Sequence, residues 1–435
     1  MRETVSRWVS TCVLMLLATQ TFAELQIEIT QGAGRRAPVA VVPFGWQGGG
    51  ADAPLDVAGV IGADLTRSGR FAPIPADDML QMPSTGVEVD FDDWSILGVE
   101  AVVVGRISQT GDNAYSVQFQ LFDVFKREQL VGYRMPASNG TIRRVAHRAA
   151  DMIFEKLTGI EGVFATQIAY VTAQENGRGR LFTLVVSDSD GENEHTIMES
   201  TDPIMSPAWS PDSRRLAYVS FEGDRSAIFV QTLRTGNRIK VSDRLGINGA
   251  PAFSPDGRKL VLTLGGADGN LDIFVMDIAT KGITRLTTNR AIDTEGTWSP
   301  NGNQIFFTSD RSGGPQVYRV DISGGSPERI TFEGSYNARP RLSPDGSKLA
   351  MVHLDRGNYR IAVLDLENEN FLVLSAGKQD ESPSFAPNSD TLIYATRVGR
   401  NGVLETVSAD GLIRQRMGSG RVDVREPVWS PFPRL

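Results

Sequence analysis

Short apolar runs separated by Gly, Asn and Asp clusters recur from Ile168 to the C-terminus, and they recur at one spacing. In the first full copy the runs are Ala208-Trp-Ser210, Leu216-Ala-Tyr-Val219, Ile228-Phe-Val230 and Ile239-Lys-Val241. Runs this short, rich in β-branched and aromatic residues and bounded by turn formers, predict four strands per unit. The closing prolines of Pro207-Ala-Trp-Ser-Pro211, Pro251-Ala-Phe-Ser-Pro255, Thr297-Trp-Ser-Pro300, Pro340-Arg-Leu-Ser-Pro344, Pro383-Ser-Phe-Ala-Pro387 and Pro427-Val-Trp-Ser-Pro431 lie 44, 45, 44, 43 and 44 residues apart. A second ladder, Leu184, Phe229, Phe274, Tyr318, Ile361 and Leu404, runs at 45, 45, 44, 43 and 43. Four strands at this period are a propeller blade, and both ladders count six.

The end units are incomplete in complementary ways. Ile168-Ala-Tyr-Val171 begins a blade at its second strand, and Pro427-Val-Trp-Ser430 ends the chain after a first strand. The C-terminal strand is therefore expected to complete the N-terminal blade and leave no open sheet edge, so that loss of residues 426–435 destabilises the whole ring.

The pattern before the repeat is different. Ala37 to Pro43 and Val99 to Ile107 read as buried strands, Leu55 to Ser68 as a helix ending at Gly69, and Tyr115 to Val124 as a half-exposed strand pairing with Leu130 to Arg134. Thr141 to Leu157 places Ile142, Val145, Ala149, Ile153 and Leu157 along one side of a helix. The expected fold is an α/β N-terminal domain, residues 24–160, followed by an all-β six-bladed β-propeller, residues 161–435.

Residues 1–23 read as a signal peptide, with Arg2 and Arg7 ahead of an apolar run from Trp8 to Ala18 and a cleavage site between Ala23 and Glu24. The run is broken by Ser10 and Thr11, too early for a membrane span. The only cysteine, Cys12, lies inside it, so neither a lipid anchor nor a disulfide is expected in the mature chain. The leader carries two Arg and one Glu, which leaves 42 basic against 51 acidic residues and a net charge near −9. That sign argues against nucleic acid or an anionic membrane surface as a partner.

Catalytic chemistry is not legible. No serine stands in a Gly-x-Ser-x-Gly elbow, and the three histidines, His147, His195 and His353, fall on the helix and in separate blades. Gly48-Gly49-Gly50 lacks the Gly-Lys-Ser/Thr of a phosphate loop. Ser254-Pro-Asp-Gly-Arg258 overlaps the sialidase aspartate box but has Arg258 where that box has glycine; a Pro-Asp-Gly turn explains it, and Pro344-Asp-Gly346 likewise. No catalytic residue, metal ligand or cofactor is assigned.

What remains is a binding scaffold, with its surface in the loops that lead into the first strand of each blade. These are Pro203 to Ser206, Ile247 to Ala250, Asp293 to Gly296, Tyr336 to Arg339, Asp380 to Ser382 and Asp423 to Glu426. Met205, Arg339 and Glu381 illustrate their mixture of apolar, small and charged residues, which suits a protein or peptide ligand. The aromatics Trp209, Phe253, Trp298, Phe385 and Trp429 are expected to be blade-to-blade core.

Over essentially the whole mature chain the sequence resembles the TolB family of the Tol-Pal cell-envelope system. The resemblance is carried by Gly34 to Phe44, by Phe154-Glu-Lys-Leu-Thr-Gly-Ile160, by Met205 to Asp212, by Asn248 to Gly257 and by Pro315-Gln-Val-Tyr318. It implies a periplasmic, non-enzymatic protein; a closed ring, with no exposed edge demanding a mate, is expected to be a monomer. It implies that Pal, a peptidoglycan-associated lipoprotein, binds the propeller mouth at Asn248, Gly249, Ala250, Thr294 and Glu295, where Glu295→Lys is expected to weaken binding without unfolding the ring. It also implies that TolA contacts the mature N-terminus, Glu24-Leu25-Gln26-Ile27-Glu28-Ile29, with other outer-membrane proteins as further partners. Ile247 and Gly296 stand where relatives carry histidine and proline. The alternative from another class is a periplasmic hydrolase with a propeller lid.

Overall fold

The computed structural model describes residues 36–175, 177, 179–266, 269–417 and 423–433. The signal peptide, the cleavage site and the Glu24–Ile29 segment lie outside these. The first unit is a sheet ordered β3-β1-β4-β5-β6, built from β1 (Ala37–Val41), β3 (Phe71–Pro73), β4 (Ala101–Gly111), β5 (Ala114–Asp123) and β6 (Glu128–Ala137), with the short β2 (Gly45–Gln47) beside β4. β1 runs parallel to β3 and β4, while β4, β5 and β6 form an antiparallel meander.

Two helices cover one face. α1 (Val57–Arg67) starts where the Asp56 carboxylate accepts the Gly59 amide at 2.9 Å, and the chain turns at Gly69 in the left-handed region. The second of the two, α3 (Ile142–Thr158), stops at Gly159, also left-handed, and buries Ile142, Ala149, Ile153 and Leu157 against Val117, Phe119 and Leu121 of β5. Between them in sequence, α2 (Phe91–Ile96) seals the other face by burying Trp94 against Val102, Val104 and Val124. The strands β2 and β3 and the helix α2 were not expected, because three- to six-residue elements give no periodicity to read.

The rest is six four-stranded antiparallel sheets, as the repeat predicts. Blades one to five span 204–242, 248–285, 293–329, 337–373 and 381–417. Blade six is assembled from both ends of the repeat: its inner strand, Asp423–Trp429, pairs antiparallel with Gln167–Glu175, with Trp429 opposite Ile168 and Asp423 opposite Ala173. The aromatics expected between blades are there. The indole N–H of Trp209 donates to the Val428 carbonyl at 3.1 Å and that of Trp298 to the Ala252 carbonyl at 3.1 Å. The Pro-Asp-Gly segments are turns: the Asp256 carboxylate accepts the Ser254 hydroxyl at 2.5 Å and the Arg258 amide at 3.0 Å, and Gly257 is left-handed. The serine hydroxyl and that amide hold Asp256 below its ordinary range, which accounts for the residue without catalysis or a metal.

Strand connectivity fixes which end of the ring is free. Inner strands begin at one end, where the connections from strand four of one blade to strand one of the next also lie. The N-terminal domain docks at the opposite end, where Asn388 donates to the Glu161 carbonyl at 2.9 Å and Gln415 to the Thr66 carbonyl at 3.4 Å. Among the described residues no helix is long and apolar enough to cross a membrane.

Candidate binding face of the propeller

The segments read as loops into each blade are the first halves of the inner strands, and each is broken by a β-bulge. The register shifts between Met205 and Ala208, Gly249 and Ala252, Thr294 and Thr297, Ala338 and Arg341, Glu381 and Ser384, and Arg425 and Val428. At each bulge one residue is left-handed: Ser206, Ala250, Glu295, Arg339, Ser382 and Glu426, with φ between 45° and 59°. Six non-glycine residues in that region, one per blade, re-aim their side chains into the channel.

Four of those side chains, Glu295, Arg339, Ser382 and Glu426, make one polar network that also takes in the Ser206 backbone amide. The Glu295 carboxylate accepts Arg339 Nε at 2.8 Å and the Arg339 amide at 3.0 Å; Glu426 lies 3.8 Å from Arg339 Nη2 and accepts the Ser206 amide; Arg339 also donates to the Ser382 hydroxyl. Burial opposes the charge on Arg339, but Glu295, Glu426 and Glu381 outweigh it and hold the guanidinium above its ordinary range.

Two positions before the bulge, or three in blade six, lies a second column. Asn248, Asp293, Asn337, Asp380 and Asp423 are all buried. Asn248 accepts the Ser242 hydroxyl at 2.6 Å and the Arg244 amide at 3.0 Å, and donates to the Arg244 carbonyl at 2.7 Å. Asp293 receives the Arg311 guanidinium at 2.8 Å, and Asp380 receives the Gly377 amide at 3.0 Å. Side chains so committed shape the loop in front of them.

The structure thus sorts the sequence candidates. Met205 and Glu381 are exposed; Gly249, Ala250, Thr294, Glu295 and Arg339 are half-buried around the channel; Asn248 is buried and its amide is engaged by Ser242 and Ser226 of the preceding blade and by Arg244 in the connection between the two. Glu295 is tied to Arg339 through both oxygens, so Glu295→Lys would set a second cation against Arg339 and disturb the ring itself.

Sequence reasoning reached the rim only at Met205 and Ile247. Leu245 at 80% exposure, Phe332 at 71%, Ile247, Ile292, Tyr359 and Val398 join Met205 as large apolar side chains in solvent, and all lie at the mouth end of the ring. Beside Tyr359, a cavity is lined by Tyr336, Val352, Gln379, Glu381 and Arg397, and the two tyrosine rings meet edge-on at 5.2 Å. Large apolar side chains left in solvent around one mouth, interspersed with charged residues, are what a protein-binding face offers.

A separate cluster joins the two domains. His147 of α3 places Nδ1 2.6 Å from Asp64 of α1 and Nε2 3.6 Å from Asp190 of blade six, while Arg67 and Arg143 contact those carboxylates at 2.7 and 2.5 Å. Burial works against the Asp190 charge, yet Arg67, the Glu192 amide, His147 and Arg143 hold its carboxyl below the ordinary range. One ligating atom from each of Asp64, His147 and Asp190 lies within 4.8 Å of the others. A metal there would have to displace two guanidiniums, so the cluster is better suited to pairing the domains.

Fold and site define a class: two-domain proteins in which a six-bladed propeller carries an α/β domain on one end and an apolar-rimmed channel mouth on the other. Residues 25–130 match the TolB amino-terminal domain and residues 154–433 the TolB beta propeller domain. The chain is 50% identical over 420 residues to the Tol-Pal system protein TolB of Nitrosococcus oceani, covering 96% of each chain, and 47% identical over 438 residues to that of Xanthomonas oryzae pv. oryzae, covering 98% of each. The crystal structure of TolB from Acinetobacter baumannii superposes with a TM-score of 0.84 at 40% identity, over 94% of this chain and 100% of that one. The chain belongs to the TolB family.

Proposed function

We propose that this protein is a non-enzymatic, periplasmic protein-binding component of the Tol-Pal system, which holds Pal at the propeller mouth and TolA through residues 24–29. By holding and releasing Pal it would support outer-membrane integrity and envelope constriction during cell division. The observation that carries the Pal assignment is the exposed apolar rim, Met205, Leu245, Ile247, Ile292 and Phe332, at the end of the ring that the N-terminal domain leaves open. The names borne by the relatives supply the system. The hydrolase alternative would need a free carboxylate pair in the channel, and the Glu295 oxygens are already committed to Arg339.

The test is calorimetric titration of the mature chain with the soluble domain of Pal from the same organism, repeated with Ile247→Asp and Phe332→Asp. Both side chains are exposed, so neither change should lower the unfolding temperature. Weakening by roughly tenfold or more per site fits loss of an apolar contact at an interface. Wild-type affinity in both variants would move Pal off the mouth.

A further inference from the structure

One residue of the channel breaks the sixfold pattern. Two positions beyond each bulge the inner strands carry Ala208, Ala252, Thr297, Arg341, Ser384 and Val428, so five small or uncharged side chains share a layer with one guanidinium. The same copy has Leu342 where the other five carry Trp or Phe. Arg341 lines the channel cavity beneath the ring of bulges, together with Pro207, Pro383 and Val428.

Its hydrogen-bonding capacity is largely unspent. A guanidinium has five N–H donors. The bond Arg341 makes is from Nη1 to the Pro340 carbonyl at 2.9 Å, and among the described residues no carboxylate stands within ion-pair distance of it. The nearby acids are occupied: Glu295 by Arg339 and the Thr308 hydroxyl, Glu426 by the Ser206 amide. Burial, reinforced by repulsion from Arg339 and only partly offset by Glu295 and Glu426, holds the Arg341 guanidinium below its ordinary range. A cation in that position gains most from an anion that reaches it.

We propose that Arg341 makes the propeller channel an anion site, which takes a carboxylate or an oxyanion of similar size entering from the mouth. Planar, forked donors match a carboxylate through two parallel hydrogen bonds, and the uncharged layer around Arg341 leaves room for the ligand to desolvate the pair. The carboxylate can arrive as an acidic side chain of a bound protein segment, which rests on the mouth reading above, or as a free ion, which does not.

Two titrations separate these sources and test the site. The mature chain is titrated with sodium sulfate and with sodium acetate at constant ionic strength, as wild type and as Arg341→Gln; each form is then titrated with the soluble domain of Pal, with and without sulfate. Saturable anion binding that weakens roughly tenfold or more in Arg341→Gln supports the site. Competition between sulfate and Pal then identifies a partner carboxylate, and its absence identifies a free ion. Pal affinity reduced in Arg341→Gln without sulfate binding also supports the partner-borne form. Wild type that binds neither anion, together with equal Pal affinity or no Pal binding in the two forms, overturns the anion site; so does anion binding that Arg341→Gln leaves unchanged. Anion binding without Pal binding overturns the mouth reading alone. Thermal unfolding of Arg341→Gln should match or exceed wild type, because the change removes a desolvated cation.

Discussion

Asn248 and Ile247 are neighbours in sequence and opposites in role. The Asn248 amide is buried and bonded to Ser242, Ser226 and the Arg244 backbone, so Asn248→Ala should destabilise the propeller by about 2–3 kcal/mol through unpaired buried groups, seen as a lower unfolding midpoint in denaturant. Any loss of partner binding in that variant would follow from the altered loop. Asp151 on α3 makes a different prediction. Its carboxylate accepts the Phe164 and Ala165 amides at 2.6 and 3.1 Å, yet burial pushes its pKa up to about 7. Between the ordinary carboxylate range and about 7 the folded state therefore keeps a proton that the unfolded chain has released. This group's contribution falls as pH rises through that window, at up to about 1.4 kcal/mol per pH unit, and levels off above it. Urea unfolding of Asp151→Asn from pH 4 to 8 should show a flatter profile than wild type.

At the scale of the strand, ring closure carries the largest consequence. Deleting residues 426–435 removes Glu426 to Trp429 from the inner strand of blade six, exposes the edge of Gln167–Glu175 and takes away the Trp429 indole bond to Thr166 at 2.7 Å. Such a truncation should unfold at lower temperature and lose cooperativity; an unchanged calorimetric transition would contradict closure. The blades and their closure were legible because six copies repeat the same strand and turn signals. The bulges were not, since Ser, Ala, Glu and Arg have no local preference for left-handed backbone, and only the packing of six inner strands imposes it there. The burial of Asn248 was not legible either, since its hydrogen bonds to Ser226 and Ser242 form only when two blades pack together. Arg341 was visible as a departure from the repeat, but the shortage of partners around it is a fact of three dimensions.

For the whole molecule, the two domains are held by polar contacts at one end of the ring while the apolar rim faces solvent at the other. Asp190 belongs to blade six and meets Arg143 and His147 from α3, so Asp190→Ala should loosen the domains without unfolding either. Limited proteolysis should then cut between residues 159 and 166 faster than in wild type, while the propeller transition stays in place. Because the mouth and this interface lie at opposite ends, a partner seated on the mouth leaves the interdomain face uncovered. Hydrogen exchange on the mature chain, alone and saturated with the soluble domain of Pal, tests that arrangement most directly. Protection confined to the mouth segments, about residues 201–206, 243–250, 286–295, 330–339 and 374–382, is the predicted result; protection centred on the N-terminal domain or on the turns around Asn388 and Ile413 would contradict it.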